Sequence, residues 1–153
     1  MKILDILAPN AIIPAMRATT KSEALRELAS LLATLHPEID GDRLMQVLLE
    51  REALGSTAIG EGIAIPHGKM PGATNVVAAF GRSVAGLPFD SLDGNPTHLF
   101  FLLVAPEESA GIHLKALARV ARLLKDKSFR DRLTSDGSQE QIFAIIKEED
   151  EKY

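Results

Sequence analysis

One histidine, at the end of a glycine-rich stretch, is the residue of this chain best suited to covalent chemistry. The stretch covers residues 55–69 and reads GSTAIGEGIAIPHGK, with His67 between Pro66 and Gly68. Neutral imidazole is nucleophilic near pH 7 because its unperturbed pKa is about 6.5. Its phosphoramidate has a weak N–P bond, so a phosphoryl group placed on the ring could be passed on. The preceding glycines would let a partner's backbone approach closely, which favours this chemistry over an ordinary surface histidine.

Two other residues could assist His67. His113 falls in the first turn of a predicted helix, where free N–H groups and the helix dipole favour an anion and depress a histidine pKa. A neutral His113 could donate an N–H to a phosphoryl oxygen, or it could be a partly buried histidine beside an apolar stripe. Arg51 could reach the same oxygens with its guanidinium fork, or pair in solvent with Glu50 or Glu52.

Four neighbours of the histidine have weaker claims to a role. Ser56 and Thr57 could hydrogen-bond a phosphoryl group or orient the histidine, and either could as easily stabilise the turn. Gly68 is a further candidate for binding or orienting the phosphoryl group. Lys69 could screen phosphoryl charge, although an exposed lysine is the simpler interpretation.

The glycines do not form a nucleotide-binding motif. Gly60 and Gly62 are followed by Ile65 where the dinucleotide fingerprint needs a third glycine, and no glycine precedes Gly68 at the phosphate-loop spacing. ATP binding is therefore unsupported and no cofactor is predicted.

The other two histidines are expected to be structural or solvated residues. His36 lies in a loop between two helices, and His98 begins an apolar strand, where a backbone partner is expected. A metal site made by the two site histidines with Glu61 or Asp90 is conceivable but disfavoured, and no metal is predicted.

The composition predicts one globular domain over residues 1–153. Hydrophobic residues make up 46% and charged residues 25%, which is ordinary for such a domain. The absence of cysteine is compatible with a reducing cytoplasm. A net charge of −4 gives no reason to expect nucleic-acid binding. The apolar pieces of the N-terminus are too short for a signal peptide or a membrane span.

Strands and helices are interspersed along the chain. Strands are predicted at about 11–16, 75–82 and 98–104, and helices at about 20–35, 40–52, 109–125, 127–133 and 138–147. Thr20 with Glu23 fits a capping box at the start of the first helix, and Ser109 is expected to cap the third. The near-continuous apolar run at 98–104 is typical of a strand covered on both faces. We therefore expect a three-layer α/β domain, with a small mixed sheet and helices on both faces. Around the histidine, Ile59, Ile63, Ile65 and Met70 are expected to form an apolar surface.

Two segments of the chain resemble a known family. REALGSTAIGEGIAIPHGK at 51–69 and GIHLKALARVARLLKD at 111–126 are similar to the IIA proteins of the bacterial phosphotransferase system, fructose–mannitol type. The resemblance is greatest to the nitrogen-regulatory branch (IIA-Ntr) and extends from about residue 3 to residue 147. It implies a single EIIA type-2 domain over residues 1–153, a phosphotransferase with its phosphohistidine at His67, His113 beside it, and Arg51 at the family's arginine position. The ring nitrogen used stays open.

The resemblance also implies partners. The donor would be an HPr-like protein (NPr), itself charged by a phosphoenolpyruvate-dependent enzyme I (enzyme I-Ntr). No fused IIB or membrane domain is present, which favours a regulatory output; relatives of the nitrogen branch act on potassium transport and sensor kinases. Two alternatives remain open: a free-standing fructose- or mannitol-type component that passes phosphoryl to a IIB domain, and an interaction module that is never phosphorylated.

Overall fold

The computed structural model describes residues 1–135 and 137–153, and these form five α-helices and six strands. The helices are α1 (Lys21–Leu35), α2 (Gly41–Ala53), α3 (Ala110–Leu124), α4 (Lys127–Thr134) and α5 (Gln139–Glu151). The strands are β1 (Leu7–Ile13), β2 (Ala58–Gly60), β3 (Ile63–Ala64), β4 (His67–Met70), β5 (Val77–Leu87) and β6 (Thr97–Pro106). None of the described helices has both the length and the apolar character that a bilayer span requires.

The six strands form one mixed sheet, as predicted. Its order is β1-β5-β6-β3-β2, and β4 also pairs with β6. The β5–β6 and β2–β3 pairs are antiparallel, whereas β1–β5, β3–β6 and β4–β6 are parallel. β6 is the central strand, and it is buried without interruption from Leu99 to Ala105. The continuous apolar run in the sequence is explained by this position between two helical layers.

Helices cover both faces of the sheet. Consecutive residues of a strand point to opposite faces, and β5 illustrates both sides. A Cβ at Gly81 would come 3.0 Å from Cδ2 of Leu28 in α1, while the side chain of the next residue, Arg82, reaches the Leu133 carbonyl of α4. α1 and α2 pack together on the first face, and α4 contacts α3 and α5 on the second. The predicted three-layer α/β class is confirmed.

Two strands have bounds that differ from the predicted ones. β1 begins at Leu7 rather than at residue 11 and ends at Ile13 rather than at residue 16, and it contains Pro9. A proline cannot donate to a sheet ladder, but β1 is an edge strand and its register shifts between Leu7 and Ile12, so Pro9 is accommodated there. β5 continues to Leu87, beyond the predicted end at residue 82.

The helix starts were predicted correctly, but two caps differ in detail. The Thr20 hydroxyl accepts from the Glu23 N–H as expected, whereas the Glu23 carboxylate accepts from the N–H of Thr19 rather than of Thr20. Ser109 stands at the N-cap of α3, but its hydroxyl donates to the Pro106 carbonyl. The prediction that Ser109 caps α3 is therefore confirmed in its position, although the side chain makes no capping hydrogen bond.

Candidate active site

A break between two short strands presents His67. β3 and β4 both run parallel to β6, with Ala64 opposite Phe100 and His67 opposite Leu103. Between them the chain leaves the ladder, and the carbonyl of Ile65 accepts a hydrogen bond from Nδ1 of His67 at 2.9 Å. A carbonyl oxygen can only accept, so Nδ1 carries the hydrogen and Nε2 keeps the free lone pair. The ring is half-buried, with Nε2 as its nucleophilic atom.

Arg51, in the last turn of α2, contacts this nucleophilic nitrogen. Its Nε lies 3.4 Å from Nε2 of His67, and its Nη1 donates to the carbonyl of Gly55 at 2.8 Å. Among residues 1–135 and 137–153, no carboxylate lies within 4.0 Å of the Arg51 guanidinium, and Glu52 pairs with Lys21 instead. The predicted alternative of a solvated ion pair with Glu50 or Glu52 is therefore wrong. The guanidinium keeps donors that an incoming anion could use.

His113, in the first turn of α3, lies next to His67. The two ring centroids are 5.4 Å apart, and the ring planes are inclined by 52°. His113 is only 6% exposed, and in the part of the chain that the structure describes its Nδ1 has no hydrogen-bond partner. Protonating the ring would make both nitrogens donors and leave one of them buried and unpaired. This cost favours a neutral ring with its hydrogen on Nε2.

Both site histidines have a pKa below the ordinary value. Burial is the main cause of the lowered pKa of His67, and the Arg51 cation adds to it, whereas the Ile65 carbonyl opposes it. Burial also lowers the pKa of His113, followed by the proximity of His67 and Lys69. Both rings are therefore neutral near pH 7, as a nucleophile and a hydrogen-bond donor to phosphoryl oxygen need to be.

The hydroxyls of Ser56 and Thr57 are engaged in holding the turn. Ser56 Oγ donates to the carbonyl of Phe89 at 2.6 Å and accepts from the Ala58 N–H. The Thr57 hydroxyl donates to the carboxylate of Glu52. Direct contact of either hydroxyl with a phosphoryl group would require breaking these bonds. The structure therefore favours the turn-stabilising alternative for both residues.

Gly68 has a packing role. It is buried in β4, and a Cβ at this position would come 2.6 Å from Cγ1 of Val47 in α2. The glycine therefore allows the helix that carries Arg51 to lie close to the strand that begins with His67. Lys69 is exposed, as its simpler interpretation predicted.

The apolar surroundings of the site differ from the prediction. Ile63, Ile65 and Met70 are buried in the core, so three of the four residues expected at the surface are absent from it, and only Ile59 is exposed. The chain is buried without alternation from Ile63 to Ile65, and the sequence run did not reveal that this whole segment enters the core. The exposed leucines next to the site are Leu54, which precedes Gly55 and is 85% exposed, and Leu114, which follows His113 and is 65% exposed.

The other two histidines lie apart from this arrangement. Nδ1 of His98 lies 3.0 Å from the carbonyl of Ser83, which confirms the predicted backbone partner. His36 is in the loop before α2, partly buried rather than fully solvated, with Nδ1 3.5 Å from Glu38. Over the described residues, no three His, Cys, Asp or Glu side chains form a group that could hold a metal ion.

Two structural partners of the site were not predicted. The Ile65 carbonyl selects the ring nitrogen of His67, and no side-chain pattern could signal a backbone atom. Glu52 is 8% exposed and accepts hydrogen bonds from Thr57. The signal that could have identified Glu52 is its place at the end of a helix, five residues before a threonine in the glycine-rich stretch.

The chain is similar to proteins of one known family. Residues 5–149 match the family model described as "Phosphoenolpyruvate-dependent sugar phosphotransferase system, EIIA 2". The nitrogen regulatory protein of Bradyrhizobium diazoefficiens is 43% identical over 95% of both chains. The fructose-specific EIIABC component of Bacillus subtilis is 37% identical over 98% of this chain, which spans 24% of that protein. The crystal structure of the nitrogen regulatory protein IIA-Ntr from Neisseria meningitidis superposes with a TM-score of 0.86 at 34% identity, covering 94% of this chain and 98% of that one.

Proposed function

Because the chain belongs to the EIIA 2 family of the phosphoenolpyruvate-dependent sugar phosphotransferase system, we propose that His67 accepts a phosphoryl group from a phosphorylated HPr-like protein (NPr) in the cytoplasm. Residues 1–153 act as one domain in this proposal. The family supports a phosphotransferase carrier role. The observation that carries the assignment to His67 is the hydrogen bond from its Nδ1 to the Ile65 carbonyl, which leaves Nε2 free to attack.

The transfer is a simple exchange of bonds. The Nε2 lone pair of His67 attacks phosphorus in line with the bond to the donor's histidine; the new N–P bond forms as the old one breaks. The donor nitrogen recovers its electron pair, and Nδ1 of His67 keeps its hydrogen and its Ile65 partner. No proton has to leave the attacking atom, so catalysis consists of positioning and charge stabilisation.

Arg51 and His113 stabilise the charge on the transferred group. Arg51 Nε is at 3.4 Å from Nε2 of His67, a long and weak contact that the guanidinium can exchange for phosphoryl oxygens. Its other contact, with the Gly55 carbonyl, holds the arginine side chain at the site during this exchange. Neutral His113 donates from Nε2–H, because its Nδ1 is enclosed by protein.

We favour a regulatory output over sugar transport. The relative from Bradyrhizobium, 43% identical over 95% of both chains, is a nitrogen regulatory protein, whereas the fructose-specific EIIABC relative from Bacillus is 37% identical. Phosphorylation adds about −1.5 to −2 charges beside the exposed Leu54 and Leu114. A partner with an apolar patch, such as a sensor kinase or a potassium transporter, would bind the bare form and reject the charged one.

A reconstituted relay tests the transfer. Phosphoenolpyruvate, enzyme I-Ntr, NPr and this protein are mixed, and intact mass is measured. The wild type should gain one phosphoryl group that is labile in acid and stable in base, and His67→Ala should gain none. A phosphorylated His67→Ala protein would refute the assignment. A wild type that gains no phosphoryl group would support the interaction-module alternative.

A IIB protein then separates regulation from transport. A purified fructose- or mannitol-type IIB protein is added to the phosphorylated wild type, and the masses of both proteins are followed. The regulatory proposal predicts that the phosphoryl group stays on His67, or returns to NPr, with no rapid transfer to IIB. Rapid transfer would establish the transport alternative.

A further inference from the structure

A buried carboxylate behind the histidine site is not used by the proposed transfer. Glu52 follows Arg51 in the last turn of α2, and it is 8% exposed. One of its oxygens accepts from the Thr57 N–H at 3.1 Å and lies 3.0 Å from Nζ of Lys21, and the other accepts from the Thr57 hydroxyl. A buried carboxylate is costly unless it is paired and hydrogen-bonded, and here both oxygens are satisfied.

Thr57 connects this carboxylate to the nucleophile. The carbonyl of Thr57 accepts from the N–H of Ile65 at 3.0 Å, and the carbonyl of Ile65 accepts from Nδ1 of His67 at 2.9 Å. The N–H and the hydroxyl of Thr57 are both bound to Glu52. The position of Thr57, and through it the position of the atom that selects the His67 tautomer, is therefore fixed by Glu52.

The same segment also supports the arginine. Two residues before Thr57, the carbonyl of Gly55 accepts from Nη1 of Arg51 at 2.8 Å. Ser56, between them, is bound through its hydroxyl to the carbonyl of Phe89. Residues 55–57 thus hold Arg51 directly and His67 through Ile65, and they are themselves held by Glu52 and by the Phe89 carbonyl.

Lys21 keeps Glu52 from competing for Arg51. Its Nζ lies 3.0 Å from Glu52 and 3.3 Å from Asp90, and it also lies 4.8 Å from the centre of the Phe89 ring. Glu52 is therefore neutralised by a cation from α1. Arg51 keeps its charge for an anion, although a carboxylate is its next neighbour in sequence.

We propose that Glu52, held by Lys21, is a positioning residue for phosphoryl transfer: it fixes residues 55–57, and so orients both His67 and Arg51. The inference rests on the proposed function, because the geometry it maintains is the one that the transfer uses. Glu52 makes no contact with the phosphoryl group in this account. Small misplacements at a reacting centre can cost up to about a hundredfold in rate, so the effect should appear in the rate of transfer rather than in donor binding.

The test compares Glu52→Gln with Glu50→Gln, a matched change at the exposed neighbouring glutamate of the same helix. Stopped-flow transfer from phosphorylated NPr gives the limiting rate and the donor concentration at half-maximal rate. We expect Glu52→Gln to lower the limiting rate roughly 10- to 100-fold with an unchanged half-maximal concentration. Glu50→Gln should match the wild type. A Glu52→Gln protein that transfers like Glu50→Gln, or that loses only donor affinity, would overturn the proposal.

A second readout does not depend on phosphoryl transfer. Imidazole nitrogen shifts in ¹⁵N NMR report the tautomer of His67, and the Arg51 Nε–H resonance reports its contact. Glu52→Gln should mix the two tautomers and shift the Arg51 resonance, whereas Glu50→Gln should do neither. Unchanged spectra in Glu52→Gln would contradict positioning even if transfer were slow. If the wild type accepts no phosphoryl group, the proposed function fails, and these spectra still decide the role of Glu52.

A milder variant covers the case in which Glu52→Gln does not fold. Thr57→Val removes the hydroxyl that donates to Glu52 and keeps the Thr57 N–H and carbonyl in place. It should produce the same changes in rate and spectra, smaller in size. A folded Thr57→Val protein with wild-type rate and wild-type spectra would overturn the proposal.

Discussion

Two arginines of this chain differ in how fully their guanidinium donors are used, and the contrast separates a structural cation from one that could bind an anion. Arg82 of β5 is 5% exposed, and its guanidinium donates to the carbonyls of Pro14, Leu133, Ser135 and Gly137. Arg51 is half-buried, donates firmly to one carbonyl, and has a long contact with a histidine nitrogen. Neither has a carboxylate partner among the described residues. A guanidinium saturated by fixed carbonyls stabilises the fold, whereas an unsaturated one beside a nucleophile can bind an anion.

The largest effect is expected at the saturated arginine. Arg82→Met should lower the free energy of unfolding by on the order of 3 kcal/mol or more, because several buried carbonyls lose a charged donor at once. Denaturant unfolding followed by circular dichroism measures this loss. Phosphoryl transfer by the fraction that remains folded should be nearly normal. A loss below about 1 kcal/mol would mean that water replaces the guanidinium and that Arg82 is not a structural cation.

The opposite pattern is expected at Arg51. Arg51→Lys keeps the charge but loses the planar fork, so phosphoryl transfer should slow roughly 10- to 100-fold, as for one lost charge-assisted hydrogen bond. The free energy of unfolding should fall by at most about 1.5 kcal/mol, the contribution of one hydrogen bond, because only the bond to the Gly55 carbonyl is firm. Stopped-flow transfer and the lifetime of the phosphohistidine are the measurements. If both match the wild type, Arg51 does not touch the phosphoryl group and the contrast with Arg82 fails.

His113 sharpens the contrast because it is buried like Arg82 and yet lies at the site like Arg51. His113→Ala should slow transfer by about 10- to 100-fold through loss of one donor. His113→Gln should recover part of the rate, since its amide can place an N–H near the position of the imidazole Nε2. Transfer rates and melting temperatures of both variants are compared. If the two are equally slow and equally destabilised, His113 is a packing residue.

The smallest effect concerns pH. The pKa of His67 is lowered, chiefly by burial, so the ring stays neutral while a solvated histidine would protonate. The unfolded chain binds this proton more readily than the folded one, so His67 costs stability as pH falls through its ordinary pKa of about 6.5. NMR titration of the ring should give a midpoint below that value. A midpoint above it would mean that the Ile65 hydrogen bond outweighs burial, and transfer would then fall off already near neutral pH.

Side-chain types and their spacing predicted the central strand, the helix starts and the residues of the site. The apolar run at 98–104 identified the central strand, and Thr20 with Glu23 identified the start of α1. The histidines and Arg51 were brought together as predicted. For His67, His113 and Arg51 the prediction rested on the family resemblance as well as on the local sequence pattern.

What the sequence did not reveal depends on backbone geometry and burial. Ile63 and Ile65 were expected at the surface, but Ile63 in β3 and Ile65 in the break after it are both buried. The Ile65 carbonyl that fixes the His67 tautomer is a backbone atom, to which side-chain patterns do not point. The hydroxyl of Thr57 was predicted as a possible phosphoryl ligand, but in the fold it donates to the Glu52 carboxylate. Glu52 and Lys21 are separated by 31 positions, so their pairing needed the fold.

The ring nitrogen that carries the phosphoryl group tests the central claim most directly. The protein is labelled with ¹⁵N at histidine and phosphorylated through the relay, and ¹⁵N and ³¹P spectra are recorded. The account predicts one phosphoryl group, on Nε2 of His67, with Nδ1 still protonated and hydrogen-bonded to Ile65. A phosphoryl group on Nδ1 of His67, or on any other residue, would contradict the account, because the Ile65 contact would then not select the nucleophile.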